Sequence, residues 1–250
     1  MDVKPTETHT YRQRIYKQYN SARQQSIAPI NLEGLKNREP YFCKLIREHF
    51  PPEKSGTILD LGCGYGALIY FARQAGYTNI TGIDTSAEQV EAAKRLGIEG
   101  VQEGELLSAL EIRSAESVET IIAFDLIEHF TKTELITLTD KVYRVLRPNG
   151  TYIVHTVNGE SPFANAIRYG DFSHELAFTR TSVSQLLLSS GFREVKCFED
   201  TPIRHGIISF LRWLLWKIIR GFLRFYVAVE TGDISSQHIF TQNFLTIAKK

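Results

Sequence analysis

The segment Ile58–Ala67, ILDLGCGYGA, constrains the fold of this chain more than any other feature. It predicts a buried strand that runs into a turn of alternating glycines and then into a helix. Glycine permits positive φ and lets the backbone come close to a ligand. The N-terminal N–H groups of the helix, and the positive end of its dipole, point at the same place. The segment therefore predicts an open α/β sheet with a nucleotide-type cofactor site at the carboxyl end of the strand.

The glycine spacing by itself fits two cofactors. As GxGxxA, the run from Gly62 satisfies the dinucleotide pattern, and as GxGxG it equally fits an S-adenosylmethionine (SAM) loop. Asp60 favours SAM, because a carboxylate there would crowd a pyrophosphate but suits an ammonium and a nearby sulfonium. Asp84 ends the next predicted strand about 20 positions after the loop, where an acidic side chain can accept both ribose hydroxyls. The alternative for Asp84 is helix capping, for which Thr85 and Ser86 compete.

With the later motifs, the chain resembles the class I SAM-dependent methyltransferases over about Lys36–Lys250. It carries, in the family's order, ILDLGCGYGA, GIDTS, VQEGELLSAL, IIAFDLIEHF and RVLRPNGTYIVHTVN. The resemblance implies a Rossmann-like, doubly wound α/β fold whose seven-stranded sheet has an antiparallel last strand, and it implies SAM as the cofactor. The predicted cofactor-binding residues are Asp60, Gly62, Cys63, Gly64, Gly66, Asp84, Thr85, Glu105, Phe124 and Asp125.

Composition supports a globular enzyme in a reducing compartment. The formal net charge of +1 over 250 residues gives no general attraction to nucleic acid, so an RNA partner is not expected. The cysteines Cys43, Cys63 and Cys197 are scattered and form neither a disulfide framework nor a zinc spacing. The N-terminal sequence lacks the apolar run of a signal peptide, so a cytoplasmic location is expected.

The predicted elements alternate as in a doubly wound sheet, and residues 1–250 are expected to form a single methyltransferase domain. Its expected parts are an N-terminal helical cap at 1–55, with a helix over Tyr11–Gln24, and a SAM-binding core at 56–200. A helical insertion at 201–238 and a last strand at 239–250 follow. In the family the two final strands form an antiparallel hairpin with a short loop, so the insertion is unusual.

The insertion contains an apolar stretch, HGIISFLRWLLWKIIRGFLRFYVAVETG, at residues 205–232. A membrane span is disfavoured, because each cation costs about 2.5–3.5 kcal/mol near the bilayer centre while each Leu, Ile, Phe or Val gains about 0.3–0.6 kcal/mol. On a helical wheel, one side of this segment is a broad apolar face. The opposite side, the polar arc, consists of Ser209, Arg212, Lys217, Arg220 and Arg224, and Trp213 and Trp216 lie near the boundary between the two. This pattern favours a helix over residues 207–229 lying in the plane of an anionic membrane surface. The alternatives are packing on its own domain or on a second subunit.

Candidate catalytic and substrate-binding residues follow the fourth and fifth predicted strands, where open α/β sheets bind their ligands. The first group is Asp125, Glu128 and His129 in FDLIEHF; in the family this Glu-His pair serves structure as often as chemistry. The long polar loop NGESPFANAIRYGDFSHELAFT is typical of a substrate lid and holds Asn158, Tyr169, Asp171, His174 and Glu175. Beside the acidic Asp171, His174 is placed to deprotonate a hydroxyl. The alternative is that His174 and Glu175 cap the following helix.

These observations predict methyl transfer from SAM to an oxygen, with His174 or His129 as the base. The predicted acceptor-binding residues are Glu128, Asn158, Tyr169 and Asp171. Positioning would contribute about 7–11 kcal/mol, and a base would add a factor of about 10²–10⁴. No metal is expected, because the sequence shows no carboxylate–histidine metal set.

The acceptor is the least constrained part of the prediction. The lid RYGDFSHELAFT followed by a basic amphipathic helix resembles bacterial methyltransferases of cell-surface polysaccharide pathways, whose acceptors are sugars on lipid or nucleotide carriers. The alternatives are O-methylation of a quinol or another lipid-like molecule, and a SAM-binding partner subunit without turnover. A nicotinamide oxidoreductase is disfavoured by Asp60 and by FDLIEH. The oligomeric state is left open.

Overall fold

The computed structural model describes residues 28–250 and, before them, Arg14 and Ile15; the rest of the helix predicted over Tyr11–Gln24 lies outside the described residues. The strands are β1 Ile58–Leu61, β2 Ile80–Asp84, β3 Val101–Glu103, β4 Val118–Phe124, β5 Leu146–Val157, β6 Glu194–Glu199 and β7 Asn243–Lys249. Within the described residues they form one sheet in the order β3-β2-β1-β4-β5-β7-β6. The first five strands are parallel, and β7 is antiparallel to both β5 and β6. The predicted fold class is confirmed.

The helices cover both faces of this sheet. They are α1 Glu39–His49, α2 Ala67–Gln74, α3 Ala87–Arg95, α4 Leu106–Glu111, α5 Lys132–Val145, α6 Asn165–Arg168, α7 Arg180–Ser189 and α8 Ile207–Thr231, with 3-10 turns at Leu32–Asn37 and Ile127–His129. Thr131 and Glu134 form a capping box that fixes the start of α5, and Thr179 pairs with Ser182 in the same way at α7. Capping of α7 by His174 and Glu175 is therefore excluded, because Thr179 holds that position.

The central strands divide the core into two layers. Alternate residues point to opposite faces of a strand, so Ile121 packs with α4, α5 and α7, whereas its neighbour Ile122 packs with α1, α2 and α3. The β1 residues are buried on both faces, as expected for a parallel sheet covered by helices. This packing holds the carboxyl ends of β1, β2 and β4 rigidly beside one another, and the candidate site lies there.

Helix α8 stands out from this packing. Of its 25 described residues, Ser209 alone is buried. The half-buried positions recur at helical spacing along the same side and include Trp213, Trp216 and Arg220. The exposed large apolar residues cover about half of the helix circumference; they are Ile207, Ile208, Phe210, Leu211, Leu214, Leu215, Ile218, Ile219, Phe222, Phe225, Tyr226 and Val229. The predicted separation into a polar arc and an apolar face is therefore present in the folded chain.

The polar arc of α8 is attached to the rest of the domain. Nε of Arg220 donates to Glu199 Oε2 at 2.6 Å, and its Nη2 reaches two backbone carbonyls of the segment before β7. Arg224 donates to the Ile234 carbonyl at 3.3 Å. Packing of the apolar face on the described part of the chain's own domain, one of the alternatives, is excluded, because the apolar side chains of this face are exposed. Among the described residues, no helix combines the length and apolar character that crossing a bilayer requires.

Candidate active site

The glycine loop after β1 has the backbone geometry that its sequence predicts. Gly62 and Gly64 have φ values of 67° and 55°, in the left-handed region that side chains rarely adopt. A Cβ at Gly62 would lie 2.8 Å from Leu126 Cδ1, whereas a Cβ at Gly64 would meet nothing closer than 3.8 Å. Gly64 therefore leaves open space beside the loop. Its N–H donates to Asp84 Oδ2 at 2.7 Å, which ties the ends of β1 and β2 together.

A cavity of about 240 Å³ opens beside this loop, bounded by the ends of β1, β2 and β4 and by α2. Its walls include every predicted cofactor-binding residue except Gly66 and Glu105. Gly66 is the N-cap of α2, with a φ of 80°, and Glu105 caps α4 by accepting from Ser108 N–H at 2.7 Å. These two residues shape the neighbouring helices and do not line the cavity. For the others, contact with the cofactor stays a prediction.

Asp60 is the most telling residue in this cavity. Its side chain is buried, and no described residue hydrogen-bonds to Oδ1. Burial, followed by the nearby Asp84, raises the pKa of Asp60 to about 8. A carboxyl group in this condition is stabilised by a cation that enters the cavity, because an opposite charge restores the ionised form. The ammonium group of SAM has that charge, so the residues present fit this cofactor.

Several cavity residues were missed by the sequence reasoning. They are Arg38, Phe42, Tyr65, Leu68, Ser86, Gln89, Leu106 and Leu126. Arg38 and Phe42 come from the segment before β1, which carries no motif that would mark it as part of the site. Glu105 was predicted to bind the cofactor, but its direct neighbour Leu106 is the residue that lines the cavity. Apolar walls of this kind suit the flat, weakly polar surfaces of a nucleoside.

Asp125 leaves β4 in a strained conformation and pairs with a buried histidine. Its φ is 51°, and its N–H donates to the carbonyl of His155 at 3.0 Å. Its Oδ1 lies 2.5 Å from Nδ1 of His155, and Asp200 Oδ2 lies 3.5 Å from the other ring nitrogen. Burial alone would lower the pKa of His155, but the two carboxylates raise it well above the usual range. The contact between His155 and Asp125 thus holds Asp125 in place at the cavity.

His129 lies at the wall of the same cavity, and the lid covers it. Its Nδ1 lies 2.9 Å from Oγ of Ser173, and Ser173 in turn donates to Asp171 Oδ1 at 2.6 Å. The rings of His129 and His174 meet edge to face, with centroids 4.6 Å apart. Burial, followed by the proximity of His174, lowers the pKa of His129 to about 4. The two predicted catalytic histidines are thus brought together, and His129 is the one that lines the cavity.

Glu128 and Asn158 are buried and hydrogen-bonded within the chain. Glu128 accepts from Thr156 Oγ1 at 2.9 Å, and its backbone carbonyl accepts from the N–H of Glu175 in the lid. The Asn158 amide donates to the carbonyls of Ile239 and Thr241, at 2.8 and 2.7 Å. The two residues thus attach the lid and the segment before β7, and acceptor binding by either of them stays a prediction.

The two remaining acceptor candidates differ in their surroundings. Tyr169 is 71% exposed on the lid, with the Arg168 guanidinium 5.1 Å from its ring centroid. Asp171 is buried and bound to Ser173, so its prediction as an acceptor ligand is not supported. Acceptor binding by Tyr169 stays a prediction.

The expectation of no carboxylate–histidine metal set is wrong as a statement about geometry. Among the described residues, His129, Asp171 and His174 offer ligand atoms that lie within 4.8 Å of one another. The sequence alone does not reveal this set, because its members lie more than 40 positions apart in the chain. They come together where the lid folds back over the end of β4. One oxygen of Asp171 and one nitrogen of His129 are already hydrogen-bonded to Ser173.

Comparisons with known proteins identify the family. The sequence profile of a family described as a methyltransferase domain matches residues 35–196, more than half of the chain, and ends before α8. Ubiquinone biosynthesis O-methyltransferase of Rickettsia canadensis (strain McKiel) is 31% identical over 134 residues, 53% of this chain and 52% of that protein. Cyclopropane-fatty-acyl-phospholipid synthase of Escherichia coli (strain K12) is 25% identical over 133 residues, 53% of this chain and 34% of that protein. The chain thus spans about half, or less, of the length of these curated relatives.

Solved structures support the same fold. A SAM-dependent methyltransferase from Archaeoglobus fulgidus aligns with a TM-score of 0.64 and 17% identity, covering 85% of this chain and 94% of that one. Phosphoethanolamine N-methyltransferase 2 of Haemonchus contortus, in complex with SAM, aligns with a TM-score of 0.57 and 19% identity, covering 98% and 58%. With the profile match and the carboxylate-lined glycine loop, these findings confirm SAM as the cofactor and show that the chain belongs to the methyltransferase domain family of SAM-dependent methyltransferases.

Proposed function

We propose that this chain transfers the methyl group of SAM to an oxygen of a saccharide carried on a lipid, at an anionic membrane surface facing the cytoplasm. The observation that carries the proposal is the outward apolar face of α8, on a domain whose polar lid packs against His129 at the wall of the cofactor cavity. A polar lid suits a hydroxyl-rich acceptor, and the apolar helix suits a carrier that does not leave the membrane.

Each part of the cavity would have a separate task in this reaction. Bound SAM would supply an electrophilic methyl group. Asp60 would hold the cationic end of the cofactor. Each oxygen of Asp84 already accepts from one backbone N–H, of Gly64 or of Ser86, and its remaining lone pair would accept a hydrogen bond from a ribose hydroxyl. The lid would exclude water and hold the acceptor oxygen in line, which supplies most of the rate enhancement. Tyr169 would contact the acceptor, and His129 or His174 would take its proton.

The arrangement of α8 supports membrane attachment over a second copy of the chain. The polar arc binds the domain, so an apolar face turned toward lipid leaves the catalytic domain on the aqueous side. Lys217 and Arg204 lie on the ring of Trp213, at 5.3 and 4.9 Å, where the edge of the helix would meet lipid headgroups. Each such cation contributes about 1 kcal/mol near an anionic leaflet. Trp213 and Trp216, expected near the boundary of the polar arc, are half-buried on the side of the helix that faces the domain.

The attachment is tested by vesicle flotation at low and high salt. The parent protein should float with anionic vesicles, and high salt should weaken but not abolish the attachment because the apolar share remains. The triple change Ile218→Glu, Phe222→Glu and Phe225→Glu, all on the outward face, should release the protein without altering SAM affinity. Ile112→Glu, at an exposed position away from α8, is the matched control. A parent that stays in solution as a dimer assigns the face to a second subunit.

A quinol or another lipid-like phenol is the second candidate acceptor. It is favoured by the 31% identity to a protein named for ubiquinone biosynthesis, and the name of the Escherichia coli relative also refers to a lipid. Incubation with methyl-labelled SAM and bacterial membrane extract separates the two acceptors. Mild acid should move the label into water if a lipid-linked saccharide carries it, and leave it in the organic phase if a quinol does.

The third hypothesis, that the chain is a SAM-binding partner subunit without turnover, is tested by the same incubation. Gly64→Val provides the control, since its side chain would enter the open space beside the loop and block the cofactor. Label uptake by the parent but not by this variant supports an enzyme. SAM binding with no release of S-adenosylhomocysteine (SAH) from any membrane fraction or nucleotide-sugar pool supports the partner subunit.

A further inference from the structure

We propose that Asp171 and Ser173 hold His129 in the tautomer with a proton on Nδ1, which makes its Nε2 the base that deprotonates the acceptor hydroxyl. The inference deepens the proposed function and rests on it for the identity of the reaction. It assigns Ser173, which no sequence motif marks, as a positioning residue. It also moves Asp171 from acceptor binding to the support of a catalytic histidine.

The direction of the hydrogen bonds determines the tautomer. An ionised carboxylate can only accept, so the short contact between Ser173 Oγ and Asp171 Oδ1, 2.6 Å, uses the single hydroxyl proton of the serine. The Ser173 backbone N–H donates to the same oxygen at 2.9 Å, which fixes the carboxylate further. Ser173 Oγ can then only accept from Nδ1 of His129, at 2.9 Å. Nε2 is left with its lone pair for a reactant.

Burial makes this chain of contacts rigid. Ser173 is fully buried, and Asp171 and His129 are each 8% exposed. The backbone of the lid is pinned next to them, because N–H groups of Glu175 and Leu176 donate to the carbonyl of Glu128, at 2.8 and 3.1 Å. The Nδ1 of His174 donates to the carbonyl of Arg168 at 3.1 Å, which leaves its Nε2 bare as well, but this ring is half-exposed and does not line the cavity.

The proton transfer balances without another reactant. As the new O–CH3 bond forms, the S–CH3 bond breaks and its electron pair remains on sulfur, which gives SAH. The hydroxyl proton of the acceptor moves to Nε2 of His129. The imidazolium that results still donates through Nδ1 to Ser173, whose hydroxyl is held by the negative charge of Asp171. The two residues thus stabilise the charge that develops on the base.

The tautomer can be observed without an acceptor, by long-range ¹⁵N–¹H correlation spectra of the histidine rings in the full chain bound to SAH. His129→Gln assigns the signal of interest. The parent should show a protonated Nδ1 and a bare Nε2. Ser173→Ala and Asp171→Asn should mix the tautomers, and Ser173→Thr, which keeps the hydroxyl, should preserve the parent pattern. Ser161→Ala, another buried serine of the lid, is the matched control and should change nothing.

Kinetics then test the catalytic consequence with the membrane fraction that takes up label. Ser173→Ala should lower kcat about 10- to 100-fold with little change in KM for SAM, and Ser173→Thr should recover most of the loss. A parent with a protonated Nε2, or an unchanged tautomer in both Ser173→Ala and Asp171→Asn, overturns the proposal. So does a requirement for Mn²⁺ or Zn²⁺ with shifts of the His129 and His174 signals, because the cluster would then be a metal centre. Correct tautomers without methyl transfer to any fraction would instead refute the proposed function.

Discussion

Asp60 is a buried carboxyl group, and no described residue hydrogen-bonds to its Oδ1. Because burial raises the pKa of Asp60, this carboxyl group carries a titratable proton inside the cofactor site. Without cofactor, the pKa of about 8 keeps Asp60 largely protonated in neutral solution. A cation beside it lowers that pKa, so cofactor binding expels the proton. Binding and protonation of this one residue are therefore linked.

This linkage predicts how SAM affinity depends on pH. Below pH 8 the affinity of the parent should rise with pH, by up to about tenfold per unit, and it should level off above that value. Asp60→Asn should remove the slope and weaken binding at pH 8 by about 10- to 150-fold, the loss of a charge-assisted contact. Isothermal titration at pH 6, 7 and 8 measures both effects. Asp140→Asn, at an exposed site, is the control; equal slopes in the parent and Asp60→Asn would contradict the role of Asp60.

At the scale of residues, sites formed by neighbouring positions in the chain were predictable from the sequence. Contacts between residues that are distant in the chain were not. Gly62, Gly64 and Asp60 lie within five positions, and a strand-to-helix turn fixes their relations whatever the rest of the chain does. Ser173 and His155 meet their partners across 44 and 30 positions, so they emerge from packing alone. The burial of Glu128 beside Thr156 was not predictable, because a polar residue after a strand can point either into the cavity or under the lid, and the sequence does not distinguish the two directions.

At the scale of elements, α8 is held to its domain by few contacts for its length. Arg220 and Glu199 form an ion pair that is mostly buried, between the middle of α8 and the end of β6. Removing one partner of such a pair leaves the other charge without compensation. The pair therefore contributes to the attachment of the polar arc to the domain.

Glu199→Gln should therefore loosen α8 while leaving the cofactor site intact. Amide hydrogen exchange over residues 207–231 should accelerate several-fold, and SAM affinity should not change. Glu194→Gln, on the same strand but in an exposed pair with Lys196, should have no such effect. Unchanged protection of α8 in Glu199→Gln would show that apolar contacts, not this ion pair, hold the helix.

Elements whose ends carry local signals were the most predictable, whereas the last strand, expected at 239–250, covers Asn243–Lys249. The capping box at Thr131 marks the start of α5, and Val118–Phe124 is a continuous apolar run. The start of β5 at Leu146 has no local signal, since Leu146 pairs with Val118 across an irregularity that only a neighbouring strand can create. Helix α4 has six residues, too few for a periodic pattern. The orientation of α8 was also unpredictable, because a helical wheel separates faces without saying which one meets the protein.

At the scale of the whole molecule, a buried acid ties stability to pH. Burial, and then the nearby Asp125, raises the pKa of Glu128 above its usual range. The folded state therefore binds this proton more tightly than the unfolded state. Stability from this group is complete below the ordinary glutamate pKa and is lost as pH rises toward the raised value.

Glu128→Gln should remove this loss, because a glutamine cannot ionise and its oxygen can still accept from Thr156. Relative to the parent, the free energy of unfolding of the variant should increase between about pH 5 and pH 8, by at most about 1.4 kcal/mol per pH unit. Urea denaturation across that range measures it. Glu103→Gln, on the exposed end of β3, is the control. Parallel curves for the parent and Glu128→Gln would mean that Glu128 is ionised in the folded protein.

The position of β7 has a consequence for synthesis on the ribosome. In space β7 lies between β5 and β6, but in the chain it follows both of them and α8. While residues 243–249 are still inside the exit tunnel, β6 has no neighbour to pair with and the edge of β5 is open. Helix α8 emerges during that interval, with its apolar face uncovered. A nascent chain would therefore meet a membrane or a chaperone before its sheet is complete, and a stalled chain would be prone to edge-to-edge aggregation.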